Sequence, residues 1–372
     1  MRIFVTAFMC LGSLWASDWI PHEIDKTGRS NSVLAADYDG DGKMEIISST
    51  AGEVWLRHGE GHQDKHRVAK LINKQHRESC MHSCLMDVDN DGDLDFVGSS
   101  KEVFWLECPD QPLTQEWKLR TISNELKGTH CLIAYDVDKD GKEELVANSF
   151  VNGGKYPESI CWLEPGQNKE SAWSIYSLAD KDAPGGTHYF ACADLNGDGL
   201  TDLVTGAKGK PFKNGDYFAA WYSGKDPKMP WRKQMISDNQ LHATNIIPAH
   251  VDGDEHMDLI ATRGHGKGVL WFKGPDWKAS EIDTSMIEPH SLDVADIDGD
   301  GDTDLATCGF GSKVVAWYEN DGNGNFTKHV VATDQESYDL RLVDVDNDGD
   351  LDIINAGRAT GNVVWYENRL KK

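Results

Sequence analysis

The sequence predicts an all-β fold: a seven-bladed β-propeller with four antiparallel strands per blade and an N-terminal strand closing the last blade. Three observations predict it. A nine-residue acidic pattern occurs seven times, with starts 46 to 58 residues apart, a period that belongs to solenoids, propellers and arrays. Each copy stands between a short alternating run and an apolar run, such as LDVA before Asp296 and DLAT after it, which reads as strand, tight turn, strand. A tryptophan then follows in every repeat, at Trp55, Trp105, Trp162, Trp221, Trp271, Trp317 and Trp365, inside VWL-, AWY- or LWF-type runs that form third strands.

Fourth strands carry Trp117, Trp173, Trp231 and Trp277. Four strands repeated seven times close into a propeller. The last repeat stops after its third strand, at WYENRLKK, and its missing strand stands at the other end as Trp19-Ile20-Pro21-His22-Glu23-Ile24. Pairing the two removes a pair of exposed sheet edges and ties the ring shut. The tryptophans are expected to pack between blades.

Composition agrees and sets limits. The chain has 372 residues, 39% hydrophobic and 9% aromatic, enough apolar material for a core. Its 37 basic and 62 acidic residues leave a net charge of −25, which argues against nucleic acid and against anionic membrane surfaces. Residues 1–17 read as an export signal: Arg2, an apolar run from Ile3 to Leu14, then Ala16 and Ser17. The expected mature chain, 18–372, is one propeller without a membrane span, secreted or periplasmic and monomeric. Its seven cysteines, an odd and irregularly spaced set, define no disulfide framework.

The nonamers place oxygen donors at positions 1, 3, 5 and 9, with Gly at position 6 for the turn. In blade one these are Asp37, Asp39, Asp41 and Glu45; in blade two Asp87, Asp89, Asp91 and Asp95; in blade three Asp136, Asp138, Asp140 and Glu144. Blade four has Asp194, Asn196, Asp198 and Asp202; blade six Asp296, Asp298, Asp300 and Asp304; blade seven Asp344, Asp346, Asp348 and Asp352. Hard oxygen donors in that number suit Ca²⁺, at about 2.3–2.6 Å. The ligand positions hold 26 of the 62 acids, a clustering that a cation relieves. About six structural Ca²⁺ ions are expected. Blade five departs, with His250 for the first Asp and Glu255 for the Gly, so its site is expected to be weak or empty.

The DxDxDG…D loop followed by an apolar strand resembles the FG-GAP/VCBS repeat of integrin-type propellers. The WYEN-type third strands resemble extracellular microbial propellers, including the propeller half of aldos-2-ulose dehydratase and the propeller-fold polysaccharide lyases. That resemblance implies fold and calcium, and points toward sugar elimination.

First strands line a propeller's channel, so the residue about six before each acidic loop lies at the mouth opposite those loops. His130, His188, His290 and Tyr338 stand six before; His82 stands five before and His242 eight before. Histidine exchanges protons near neutrality and also binds metals. The imidazoles of His130, His188 and His290 are expected within about 8 Å of one another if they act together, since direct ligation needs contacts near 2 Å. Zn²⁺ at these channel histidines is a candidate second cofactor. Loops joining second and third strands add Lys101, Lys155, Lys208, Lys210, Lys213, Arg263, Lys267, Lys313 and Arg358 against Glu53, Glu102, Glu158 and Asp216, a basic mouth on an acidic protein.

This inventory predicts a carbohydrate substrate, an acidic or keto sugar, undergoing β-elimination by a lyase or dehydratase. His130, His188 and His290 are candidates for base or metal ligand, Tyr338 or Tyr189 for acid, Arg263 or Lys208 for charge clamp. His82, His242, Tyr189, Lys208 and Lys155 are substrate-binding candidates. The alternatives are a non-catalytic propeller that binds glycan or protein in adhesion, and a metal-dependent hydrolase using the channel histidines.

Overall fold

The computed structural model describes residues 18–26, 28–71, 80–151 and 153–370. The expected export signal, 1–17, lies outside them. The described residues form seven sheets of four strands each, with one short 3₁₀ turn at Glu60–His62. Within blades one to six the four strands pair in chain order, every neighbour antiparallel. Blade seven combines the last three strands, Asp339–Val343, Asp352–Gly357 and Asn362–Asn368, with the first, Trp19–Asp25. The register runs from Trp19 opposite Asn368 to Asp25 opposite Val363.

The core lies between blades, and packing follows the alternation of the strands. One cluster joins Val146, Ile160 and Trp162 of blade three to Leu203, Tyr217 and Trp221 of blade four. Another joins Ile24, Ile354 and Val363 of blade seven to Val33 and Ile46 of blade one, so the ring is closed by apolar contact as well as by hydrogen bonds. Each such side chain contributes about 1.5–3 kcal/mol when fully buried. Trp105, Trp162, Trp221 and Trp317 are at most 2% exposed. Trp117, Trp173, Trp231 and Trp277 immediately precede the fourth strands rather than lying within them.

Every acidic loop joins a first strand to a second, and its position-nine carboxylate is a bracket as well as a candidate ligand. In blade two, Asp95 accepts the Val88 N–H at 3.0 Å with one oxygen and the Cys108 N–H at 2.7 Å with the other. Asp202, Asp258, Asp304 and Asp352 repeat both bonds in their own blades. The buried carboxylate thus ties the loop to the end of the third strand. The asparagine of the WYEN strands ties blade to blade: Asn320 donates to Val251 O at 2.8 Å and Asn368 to Ile297 O at 3.1 Å.

Candidate functional site

The mouth is built by the starts of the first strands, which face away from the acidic loops. In blade six the first strand is Pro289–Ala295, with His290 at its start and the loop beginning at Asp296 after its end. Five residues of strand separate two such positions by about 17 Å.

Three of the expected histidines converge. The ring centroids of His130 and His188 are 4.4 Å apart, those of His188 and His290 6.0 Å, and those of His130 and His290 6.4 Å. A fourth, His265, completes the cluster at 4.8 Å from His188 and 5.2 Å from His290. It comes from the loop joining the second and third strands of blade five, at no position of the repeat.

Hydrogen bonds fix how these rings are protonated. His188 Nδ1 donates to Gly186 O at 2.7 Å, which leaves its Nε2 as a lone pair facing His265 Nε2 at 2.8 Å. His290 Nδ1 lies 3.1 Å from Tyr338 O and 3.2 Å from the Tyr189 hydroxyl, and its buried Nε2 has no hydrogen-bond partner. Burial keeps all four rings neutral: His130 is pushed down to about 4 and His265 to about 3, and His188 and His290 lie well below the usual imidazole range. The Lys208 ammonium adds to the depression at His130, His265 and His290.

Nitrogen atoms of His188, His265 and His290 lie within 4.8 Å of one another. An unpartnered buried Nε2 and two Nε2 atoms in contact could together supply three nitrogen donors to a metal ion. The Nδ1 bonds of His188 and His290 to backbone carbonyls are the outer contacts that orient such ligands. These residues fit a zinc-like ion with an open coordination position.

Around the trio stand the other expected residues. Tyr338 stacks on His290 at 3.8 Å, and the Arg358 guanidinium lies over the Tyr338 ring at 3.9 Å. Lys208 is half-buried, its ammonium pushed below the usual range by burial, and it has no carboxylate within 4.0 Å among the described residues. His242 donates its backbone N–H to Asp216 at 2.8 Å and packs its ring where a Cβ on Gly266 would lie 2.7 Å away. His82 does not join the trio; its ring meets the edge of Tyr189 at 5.2 Å. Tyr189 itself is buried beneath His290, where it supports that ring.

Two expected charge carriers are engaged elsewhere. The Arg263 guanidinium holds Glu281 at 2.9 Å and Gln240 at 3.0 Å. Lys155 is paired with Glu125 at 2.9 Å. Their charges are already matched, as is that of Lys313 by Glu336 at 3.2 Å, whereas Lys208 stands beside the imidazoles without such a partner and Arg358 lies over Tyr338.

A sequence model described as an FG-GAP-like repeat matches residues 37–98, 250–307 and 296–355. The propeller carries FG-GAP-like repeats. No curated protein matches the chain. Among solved structures, this propeller is similar to BBS1N from its complex with ARL6DN, at 11% identity and a TM-score of 0.59, over 95% of this chain and 97% of that one. It is also similar to an Agrocybe aegerita lectin that recognises non-reducing terminal N-acetylglucosamine, at 15% identity and a TM-score of 0.53, over 91% and 94%. At these identities the similarity is one of fold.

Proposed function

We propose that the chain acts on an acidic carbohydrate at the histidine-lined mouth, as a lyase working by β-elimination with a zinc-like ion held by His188, His265 and His290. The observation that carries this reading is the convergence of neutral imidazoles, one with an unpartnered buried Nε2, beside a lysine that lacks a counter-ion. The bound ion would supply a positive charge that polarises a carboxyl or carbonyl oxygen. His130 is neutral and its Nδ1 is unpartnered, which suits it to take the proton α to that group. The C–H electron pair becomes a C=C bond, the C–O bond at the β carbon breaks, and the Tyr338 hydroxyl returns a proton to the departing oxygen. Lys208 stabilises the negative charge that develops between these events. Tyr189 holds His290 in place, and the four-ring wall excludes water from that face.

The acidic loops are proposed calcium sites. Carboxylate oxygens of Asp37, Asp39 and Asp41, and of Asp296, Asp298 and Asp300, lie within 4.8 Å of one another. In blade five the Lys273 ammonium contacts Asp252 and reaches Asp254 at 3.2 Å, so an internal cation already matches that loop. The N-terminal apolar run supports export, where calcium is plentiful.

The test is a screen of uronate-containing polysaccharides for the ultraviolet absorbance of an unsaturated product, with calcium-loaded protein before and after zinc is added. Zinc-dependent absorbance that disappears in His130→Ala supports the reading. Saturable glycan binding without any product would favour the non-catalytic alternative, and scission without an unsaturated end would favour hydrolysis.

A further inference from the structure

Beneath the mouth, on the acidic-loop side of Tyr189, the first strands line a second chamber of about 400 Å³. None of His188, His265 and His290 lines it, whereas Glu143, from the acidic loop of blade three, does. The chamber therefore faces the opposite end of the ring from the site described above. Apolar residues of the first strands line it, among them Leu85, Leu132, Ile247 and Leu292.

One end of this chamber is rich in unused donors. His82 is 4% exposed and its Nδ1 accepts the Leu132 N–H at 3.4 Å, so the ring proton sits on Nε2, which is buried without a partner. Arg341 lines the chamber with a guanidinium that offers five N–H groups. Among the described residues it has two long contacts, Leu340 O at 3.4 Å and one oxygen of Asp339 at 3.3 Å. Asp339 and Asp293 lie near enough to act on its charge but line no part of the chamber; Glu143 is the carboxylate residue that does. Asp339 accepts the Val33 N–H at 3.1 Å, and Asp293 accepts those of Leu342 at 2.9 Å and Val294 at 3.0 Å.

We propose that this chamber is a second ligand site, for a small carboxylate with an apolar body: the carboxylate meets Arg341 and His82, and the body lies against the leucine walls. Buried donors without acceptors cost free energy that an anionic acceptor recovers. A sugar would set its hydroxyls against leucines, and a neutral hydrocarbon would leave the guanidinium without solvent or partner. The volume lies in the range of small-molecule pockets, about 300–1,000 Å³.

The test uses the full-length calcium-loaded protein and isothermal titration with benzoate and hexanoate, each compared with its amide. The acids are expected to bind at least tenfold more tightly than the amides, and Arg341→Gln to weaken them at least tenfold. Ala134→Phe, which fills the chamber wall without altering a charge, is expected to abolish binding, and His265→Ala, at the other mouth, to leave it unchanged. No binding, equal binding of acid and amide, binding that survives Ala134→Phe, or binding lost in His265→Ala would each overturn the assignment. If Arg341→Gln does not fold, the amide comparison and Ala134→Phe decide.

Discussion

Replacing Asp25 by asparagine should unlatch the ring. Asp25 ends the strand that closes blade seven, and its carboxylate contacts the Arg57 guanidinium in the third strand of blade one; both side chains are 3% exposed. The bond therefore ties the strand that closes blade seven to blade one. Arg57 also lies over the Trp55 ring at 5.3 Å, and burial already draws its ionisation below the usual range. The Asp25→Asn substitution would leave that guanidinium charged, buried and without its counter-ion, a state that costs about 3–5 kcal/mol. The double substitution Asp25→Leu with Arg57→Met removes both charges and should recover most of the loss, since apolar replacement of a buried pair is often neutral. Equilibrium urea unfolding at pH 7, with calcium saturating, measures the parent chain and both variants. A loss below about 1 kcal/mol for Asp25→Asn, the range of exposed pairs, would refute the argument that this pair latches the ring.

Other expectations follow from the same geometry. Lys208→Met should weaken binding of uronate-containing oligosaccharides at least tenfold while leaving zinc stoichiometry unchanged, because Lys208 is placed against the substrate and is no ligand; titration with each, separately, checks this. The bracket carboxylates make the calcium-free protein sensitive to alkali. Burial holds Glu45 up at about 7, Asp95 at about 8 and Asp352 at about 7, above their unfolded values, so the folded state favours the protonated form. That contribution is whole below about pH 4 and is lost as pH rises toward 8. Melting temperature in a chelator should fall over that window, calcium should flatten the fall, and a flat curve in chelator would contradict the placement of these groups. Tyr189→Phe should lower elimination activity through the orientation of His290, and zinc affinity with it, without moving the melting temperature by more than a few degrees.

Much of this architecture was legible in the sequence because its determinants recur. A tight acidic turn, an alternating strand before it and a tryptophan after it can be read seven times over, and the missing fourth strand of the last repeat locates the closing strand at Trp19. The channel position of His130, His188, His290 and Tyr338 could be read for the same reason: a fixed count back from the loop is a fixed place on a first strand. His82 and His242 break that count, and neither joins the trio. His265 stayed hidden because it belongs to a loop that obeys no period; the glycines around it in RGHGKG, which let its neighbour His242 approach, were the available sign. Arg263 and Lys155 looked alike in sequence to Lys208, but only a three-dimensional arrangement shows which cations have found carboxylates. The bracket role of position nine was equally out of reach, since it needs the third strand of the same blade to arrive beside the loop.

The account turns on three imidazoles sharing one ion, and X-ray absorption at the zinc edge tests that directly. With the acidic loops first saturated with calcium, one equivalent of zinc should show three nitrogen ligands at about 2.0 Å with the multiple scattering of imidazole, and His290→Ala should remove that signature. A shell made only of oxygen, or zinc that stays free in solution, would contradict it.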